Sequence, residues 1–556
     1  MSNFKVFDIE AKDWNVIYAI GIFDGVKLQT KINKPSKERS SNNHTYIRYL
    51  FDTLCDKDIV YAHNGGRYDF LFLMDFIREN KIKILSSMVI NGSIAQLDIE
   101  YDNKHLTFKD SYFILPFALK KLTKDFNVAH QKLDMDYDLG MSDSNFKNYF
   151  KNDLMGLYEV IKVSGLSNYL TIGKNAIQEY ISHSIKMSRN PDKIDKLFRN
   201  GYYGGRTEVF ISAGSNLNYY DINSMYPYIM RNFKIPLPIT SNFIASKEIN
   251  PDTLGIYYCK ITAPKISIPI LPYRNNSTLI FPYGQWNGWY YTPELALALK
   301  NNYQIKVIKG YEFLDTDYIF KEYVDKWYQI KTTSVGSKQA VAKLMLNALS
   351  GKFGQKRIHK NLVPSSDDIS KPLLEMIDGQ WFERTTSYDR YSKFLHSEIS
   401  AIVTSYARCY LYSFFQKVGL DNVYYCDTDS LITNAKLDTS LALGGMKLEA
   451  KIKEYVALAP KLYGYIDDEG KEYVRAKGMH VEDLSFDKLK TAYKTKDYSK
   501  INSNYLKITT FREGIRRHNA TYTDTFNMTR SFKNTSNKRV KINDERTEPI
   551  EITKVV

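Results

Sequence analysis

Apolar and polar positions divide the chain into stretches of different period. Residues 4–10, 15–23 and 26–31 form short β-rich runs cut by turn residues such as Asp24-Gly25, the pattern of strands. Residues 59–63 form another short apolar run. The period then becomes helical at 69–79 and at 146–163, where Phe146, Tyr149, Phe150, Leu154 and Leu157 recur at helical spacing. Strands interleaved with helices through about residue 170 predict an α/β domain. Prolines at Pro236-Leu237-Pro238 and from Pro264 to Pro282 predict loops or an inserted module. A helical pattern returns from 315 to 353, and 361–391 is polar and turn-rich. A helix is expected at 397–417 and a strand–turn–strand at 422–434. There is no internal repeat or low-complexity tract.

A length of 556 residues suggests three to four domains at roughly 150 residues each. With 43% hydrophobic and 25% charged residues, a mainly disordered, collagenous or coiled-coil chain is excluded. No apolar run approaches the ~18 residues of a membrane span. With no charged-then-apolar leader at the N-terminus, a cytoplasmic protein without a membrane partner is expected. Cys55, Cys259, Cys409 and Cys426 form no C-x-x-C pair, which disfavours a disulfide framework or cysteine zinc site. The 44 tyrosines, with abundant Lys, Asn and Ile, suggest an A+T-rich coding genome. Lys+Arg 77 against Asp+Glu 62 leaves +15, which points to a polyanionic partner. Residues 491–556 hold 14 Lys+Arg and 7 Asp+Glu, nearly half of that excess.

Candidate chemistry lies in the acidic residues. Asp8 and Glu10 stand at i and i+2 of a strand and share a face. Two adjacent carboxylates repel unless a cation lies between them. Alone, the pair reads more simply as a solvated strand edge. His63-Asn64-Gly65-Gly66-Arg67-Tyr68-Asp69 carries an apolar strand into a glycine turn, with Asp69 opening a helix or simply capping it. Tyr149 and Asp153, i and i+4, share a helical face.

In the second half, a strand runs into Asp221-Ile222-Asn223-Ser224-Met225-Tyr226-Pro227. Val423-Tyr424-Tyr425-Cys426-Asp427-Thr428-Asp429-Ser430 reads as a hairpin with two aspartates at its tip. If folding brings Asp221 beside Asp429, the pair suits two-metal phosphoryl transfer. Between them, Lys343 and Asn347 share a helical face that continues to Ser350-Gly351, and Lys331 lies upstream. Such lysines can grip phosphates as point charges.

The first three acidic groups, in this order, resemble the proofreading 3′–5′ exonuclease of family B DNA polymerases. That resemblance implies an RNase H-like fold and two Mg²⁺ or Mn²⁺ ions held by Asp8, Glu10, Asp69 and Asp153, with Tyr149 assisting. Asn64, Tyr68 and Ser111 would contact single-stranded DNA, and Lys132, in Lys132-Leu133-Asp134-Met135-Asp136-Tyr137, would stabilise the scissile phosphate. The later segments resemble the three polymerase motifs of the same family. Tyr202-Tyr203-Gly204-Gly205, Thr404-Ser405-Tyr406-Ala407-Arg408 and Lys461-Leu462-Tyr463 resemble its linker, template-contacting and primer-holding motifs. The whole chain is similar to the protein-primed branch, in its compact phage form.

The resemblance implies an α/β multidomain protein: exonuclease at 1–172, then a right-handed polymerase. Its palm would occupy 173–232 and 397–490, its fingers 319–354 and its thumb 491–556. Terminal-protein-region insertions would lie at 233–318 and 355–396. Asp221 and Asp429 would hold two further metal ions, with Asp427 auxiliary. Tyr226 would exclude a ribose 2′-hydroxyl, Lys331 and Lys343 would bind triphosphate, and Asn347 and Gly351 would line the nascent base pair. Tyr202, Gly204, Gly205, Thr404, Arg408, Lys461 and Tyr463 would contact DNA. The implied partners are primer-template DNA, dNTPs and a terminal protein that primes synthesis. The expected setting is a monomer in the host cytoplasm, capable of strand displacement. Two departures stand out: Ala11 replaces a hydroxyl residue, and Ser350 with Ala348 replaces Tyr and Ser. A polymerase that starts without a protein primer shares these motifs, and a non-catalytic DNA-binding relative is the third reading.

Overall fold

The computed structural model describes residues 4–12, 16–33, 39–90, 92–134, 143–166, 169–182, 186–240, 242–355, 358–364, 374–377, 380–388, 394–508, 525–532 and 538–554. Asn15, Met135-Asp136-Tyr137 and parts of 355–396 and 491–556 lie outside these residues.

The strand Lys5–Lys12 sits near the middle of a seven-stranded sheet. Its order is Leu28–Ile32, Val16–Phe23, Lys5–Lys12, Ile59–Ala62, Lys104–Asp110, Ser93–Tyr101, Lys83–Ile90. Ile59–Ala62 runs parallel to both its neighbours, and every other pair is antiparallel. Both faces are covered. Phe7 and Ile9 enter a core with Leu50 and Phe51 of helix Arg39–Thr53 and Phe70, Leu73 and Phe76 of helix Asp69–Glu79. Val6 has the opposite parity and joins Phe150, Leu154 and Leu157 of helix Asp143–Ser164. Side-chain alternation thus sends Asp8 and Glu10 toward that last helix.

The second sheet is also seven-stranded and wholly antiparallel. Its order is Glu472–Ala476, Leu462–Asp467, Met446–Ala459, Ala213–Ile222, Ser430–Thr433, Val423–Asp427, Thr207–Val209. The helix Ser397–Val418 buries Ile402, Leu411 and Phe415 in one core with Cys426 and Leu431 of this sheet. A tyrosine-rich cluster of Tyr425, Tyr455, Tyr463 and Tyr465 forms a separate core.

The proline-marked middle is a module built on a five-stranded sheet: Phe243–Ser246, Gln304–Phe313, Gly255–Ala263, Tyr283–Tyr291 and, last, Glu551–Lys554. The helical stretch expected at 315–353 is a pair of helices, Lys321–Thr333 and Gly336–Phe353. The polar stretch at 361–391 contains strands of a three-stranded sheet, Ile358–Pro364, Gln380–Tyr388 and Leu374–Ile377.

Two packing relations cross the expected domain boundaries. The helix Ile172–Ser182, placed with the palm, packs instead on the helical pair, with Tyr180 5.0 Å from Phe320 and 5.8 Å from Phe353 between ring centroids. The described residues of 491–556 pack at more than one place. The hairpin Arg539–Lys541/Thr547–Pro549 returns to the second sheet, where Thr547 N donates to Phe210 O at 3.0 Å. Glu551–Lys554 then pairs in parallel with Tyr283–Tyr291. Gly284 permits this approach: it adopts φ +102, and a Cβ there would lie 2.2 Å from Ile552 O. No helix among the described residues is long and apolar enough to cross a membrane.

Candidate active sites

The first site forms where Lys5–Lys12 faces Asp143–Ser164. One carboxylate oxygen from each of Asp8, Glu10 and Asp153 lies within 4.8 Å of the others. Asp69, at the start of its helix, is buried and accepts a hydrogen bond from Ile9 N at 3.0 Å. It is thereby fixed to the backbone between the two strand carboxylates. Tyr149 OH donates to Glu10 Oε1 at 3.1 Å, and Lys132 Nζ donates to Tyr149 OH at 3.2 Å while also pairing with Asp153. All four expected carboxylates, Tyr149 and Lys132 therefore meet.

The electrostatics of this cluster call for a cation. Burial, followed by repulsion from Asp69, Glu10 and Asp153, holds Asp8 well above the usual carboxylate range. Burial pushes Glu10 up to about 7 against the pull of Lys132, and pushes Asp69 up to about 8. Asp153 is also raised, by burial first. Burial alone would lower Lys132, but Asp153, Asp8 and Glu10 reverse the sign. One lysine does not balance four carboxylates, and among the described residues Asp153 Oδ1 is buried without a hydrogen-bond partner. An all-oxygen donor set of this kind fits a hard divalent cation.

The second site is set by strand register. Ser430 pairs with Asp221, so Asp429 lies beside Asp221, and Ile222 N donates to Asp429 O at 2.8 Å. The turn between the paired strands needs a left-handed residue, Thr428 at φ +64, whose N donates to Arg206 O at 2.7 Å. Asp221, Asp429, Tyr226, Lys331, Lys343, Asn347, Gly351, Tyr202, Gly204 and Thr404 line one cavity of about 590 Å³. Burial, then Asp429 and Glu449, push Asp221 up to about 7. Asp429 is raised too, chiefly by burial. Lys331 Nζ donates to Asn223 Oδ1 at 2.9 Å and to Ser224 Oγ at 2.8 Å. Burial, then Lys343, lower its pKa. Burial raises the Tyr226 phenol to about 12. The paired carboxylates again form a hard-oxygen donor set, this time with lysines opposite.

Several expected residues lie elsewhere. Asp427 does not line the cavity: its carboxylate accepts from Lys461 Nζ and from Thr207 Oγ1 at 2.9 Å. Lys461 is thus engaged with Asp427. Arg408 is buried, bonded to both Glu294 oxygens at 2.8 Å and to the carbonyls of Tyr203 and Gly204 at 2.7 and 2.9 Å. It holds the Tyr-Tyr-Gly-Gly segment in place. Tyr463 is buried, 4.8 Å from the Tyr425 ring, and Ser111 is buried with Oγ donating to Ala62 O at 3.1 Å. Both are packed away from solvent. Gly205 presses on Thr428, where a Cβ would lie 2.8 Å from Cγ2. Asn64 takes φ +62 at the turn, and Tyr68 stands edge-on to Phe72 at 5.4 Å.

The sequence reading missed Lys447 and Glu449, which line the cavity from the strand beside Asp221, Lys447 pairing with Asp221 in register. No local motif marks them, because only strand pairing brings them in. It also missed the buried role of Asp110, whose carboxylate accepts from Gly66 N at 3.1 Å and Tyr112 N at 2.9 Å.

The family described as "DNA polymerase type B, organellar and viral" matches residues 54–162 and 143–438. A probable DNA polymerase of Podospora anserina is 28% identical over 90% of this chain, which spans 55% of that protein. The DNA-directed DNA polymerase of Enterobacteria phage PRD1 is 26% identical, with 79% of each chain covered. The chain spans 43–55% of the length of three of the fungal relatives it matches. A structure of phi29 DNA polymerase complexed with primer-template DNA and incoming nucleotide substrates superposes with TM-score 0.70 at 21% identity, covering 88% of this chain and 95% of that one.

Proposed function

Because the chain belongs to the type B DNA polymerases of organelles and viruses, we propose that it copies DNA at the second site and proofreads at the first. The observation that carries this reading is the cavity in which Asp221 and Asp429 face Lys331, Lys343, Asn347, Gly351 and Tyr226. Two carboxylates on one wall and two lysines on another suit a nucleoside triphosphate and a primer 3′-hydroxyl. Asp221 and Asp429 would hold metal ions there, and Asp8, Glu10, Asp69 and Asp153 would hold them at the first site. Two divalent cations per site, Mg²⁺ or Mn²⁺, would supply charge neutralisation and a more acidic attacking hydroxyl or water.

The chain's own groups do the rest. Lys331 and Lys343 bind the triphosphate oxygens as point charges. Tyr226 occupies the space of a 2′-hydroxyl, and Asn347 with Gly351 shapes the pocket for the base pair. Asp427 acts through Lys461, and neither takes the role of a metal ligand. At the first site Lys132 and Tyr149 orient the scissile phosphate and the attacking water. The solved complexes of phi29 DNA polymerase with primer-template DNA and nucleotides support DNA and dNTPs as partners.

Replication of a linear genome by protein priming, with strand displacement, is the finer proposal. Its support is that residues 243–313, between the Asp221–Pro227 segment and the helix Lys321–Thr333, are built on a five-stranded sheet, as an insertion of the protein-primed branch would be expected to be. Host cytoplasm and a monomeric state belong to the same reading. The test is Mg²⁺-dependent extension of a primed template: activity in the parent and its loss in Asp221→Asn support the polymerase, and an inactive parent overturns it. Initiation on duplex ends that requires a candidate terminal protein supports protein priming, and initiation without one favours the primer-independent alternative.

A further inference from the structure

The helix Gly336–Phe353 carries Lys343, Asn347 and Gly351 into the cavity, yet its N-terminus is held by another domain. Val335, the residue before the helix, provides no side-chain cap. Ser337 Oγ instead donates to Asp125 Oδ2 at 2.6 Å, and Asp125 ends the helix Leu119–Asp125 of the first domain. Gly336 lets the two meet. It adopts φ +62, and a Cβ on it would lie 2.6 Å from Asp125 Cγ and Oδ1. A carboxylate at a helix N-terminus also opposes the positive end of the helix dipole. The first domain thus places a carboxylate, bonded through the Ser337 hydroxyl, at a helix N-terminus that has no side-chain cap of its own.

The same short helix reaches the first site. Thr123 Oγ1 accepts a hydrogen bond from Lys132 N at 3.1 Å, and Lys132 Nζ contacts Tyr149 and Asp153. Asp125 and Thr123 are two residues apart. One faces the nucleotide-binding helix, and the other holds the backbone of the exonuclease lysine.

We propose that the Asp125 contact with Gly336 and Ser337 is an interdomain latch that positions the helix bearing Lys343 and Asn347, and so sets nucleotide affinity from the first domain. Asp125 is a positioning residue. It touches no substrate and acts through Ser337. Lys343 lies about 10 Å along the helix axis from Gly336, at 1.5 Å per residue, so a tilt at the N-terminus moves its ammonium group. The inference rests on the polymerase reading for its kinetic consequence but not for its structural one.

The test uses the full chain with Asp125→Ala, Ser337→Ala, the double variant and Gly336→Ala. Each single variant should raise the KM for dNTP in primer extension about three- to tenfold with kcat within twofold. The double variant should be no worse than either single variant. Exonuclease rates on single-stranded DNA should stay within twofold of the parent. Asp125→Asn, which keeps an acceptor oxygen, should recover part of the loss. Hydrogen exchange of the amides at 337–343 in the DNA-free protein should accelerate in Asp125→Ala, whatever the catalytic activity. An unchanged dNTP KM, additive effects in the double variant, equal losses at both sites tracking a lowered Tm, or unchanged exchange at 337–343 would each overturn the latch. An inactive parent would overturn the polymerase reading, and the exchange measurement would still decide the latch.

Discussion

Lys461 Nζ lies 2.6 Å from Oδ2 and 2.7 Å from Oδ1 of Asp427, so the first aspartate of the Asp-Thr-Asp turn already has its counter-charge. The second, Asp429, turns into the cavity beside Asp221. Left-handed Thr428 separates the two and lets neighbouring carboxylates face different surroundings. Their substitutions should therefore differ in kind. Asp429→Asn should reduce the extension rate by about 10²–10³-fold or more, the scale for losing a group that stabilises transition-state charge. Asp427→Asn should cost much less, and Lys461→Met should cost more than Asp427→Asn because it leaves a half-buried carboxylate unpaired. Single-turnover extension by the three variants checks this order.

The first site makes stability depend on pH. Glu10 at about 7 and Asp69 at about 8 bind protons in the native chain that the unfolded chain, with ordinary values near 4.5 and 3.8, has released. A raised carboxyl pKa contributes stability that is fully present below the unfolded value and is lost as pH rises through the folded one. In chelator, the first domain should therefore lose stability from about pH 5 to about pH 8. A divalent cation displaces those protons, so Mg²⁺ should raise Tm more at the upper end of that range. Equal stabilisation at both ends contradicts the assignment.

Arg408 and Glu294 form a buried, bidentate pair. Arg408→Met should destabilise the protein by about 3–5 kcal/mol, because it strands a buried carboxylate. Denaturant unfolding measures this. Weakened DNA binding at unchanged stability would instead restore the DNA contact expected from the sequence.

Ser350 lines the cavity, and its carbonyl accepts a hydrogen bond from Ser400 Oγ. Ala348 packs against the core. A tyrosine at 350 would add a ring to the nucleotide pocket, so Ser350→Tyr should change dNTP affinity or the discrimination against mismatches. Equal steady-state constants for correct and incorrect nucleotides in both proteins contradict this.

What the sequence revealed follows from the range of the interactions involved. The helix Asp69–Glu79 was legible because its signal is local: a glycine turn, an acidic first turn and an apolar period. The parity of Asp8 and Glu10 was equally local. The strands Ser93–Tyr101 and Lys104–Asp110 were missed, although Asp102 and Asn103, both with positive φ, form the tight turn that joins them. Glu449 and the return of Glu551–Lys554 to the middle module depend on pairing between distant strands, which leaves no mark in a short window. Arg408, Ser111 and Tyr463 matched motifs correctly as residue types, yet their packing gives them buried bonds in place of exposed ones. The motifs bring out both carboxylate groups and already set Asp427 apart as auxiliary, but the Lys461 counter-charge that holds Asp427 out of the cavity comes only from strand pairing.

The central claim, two separate sites for adding and removing nucleotides, is tested most directly on one substrate: a primed template with a mispaired 3′ end, given Mg²⁺ and dNTPs. The parent should trim the mismatch and extend. Asp429→Asn should trim without extending, and Asp153→Ala should stall at the mismatch while extending a matched primer. A parent that does neither, or a single substitution that abolishes trimming and matched extension together in a folded protein, would contradict the account.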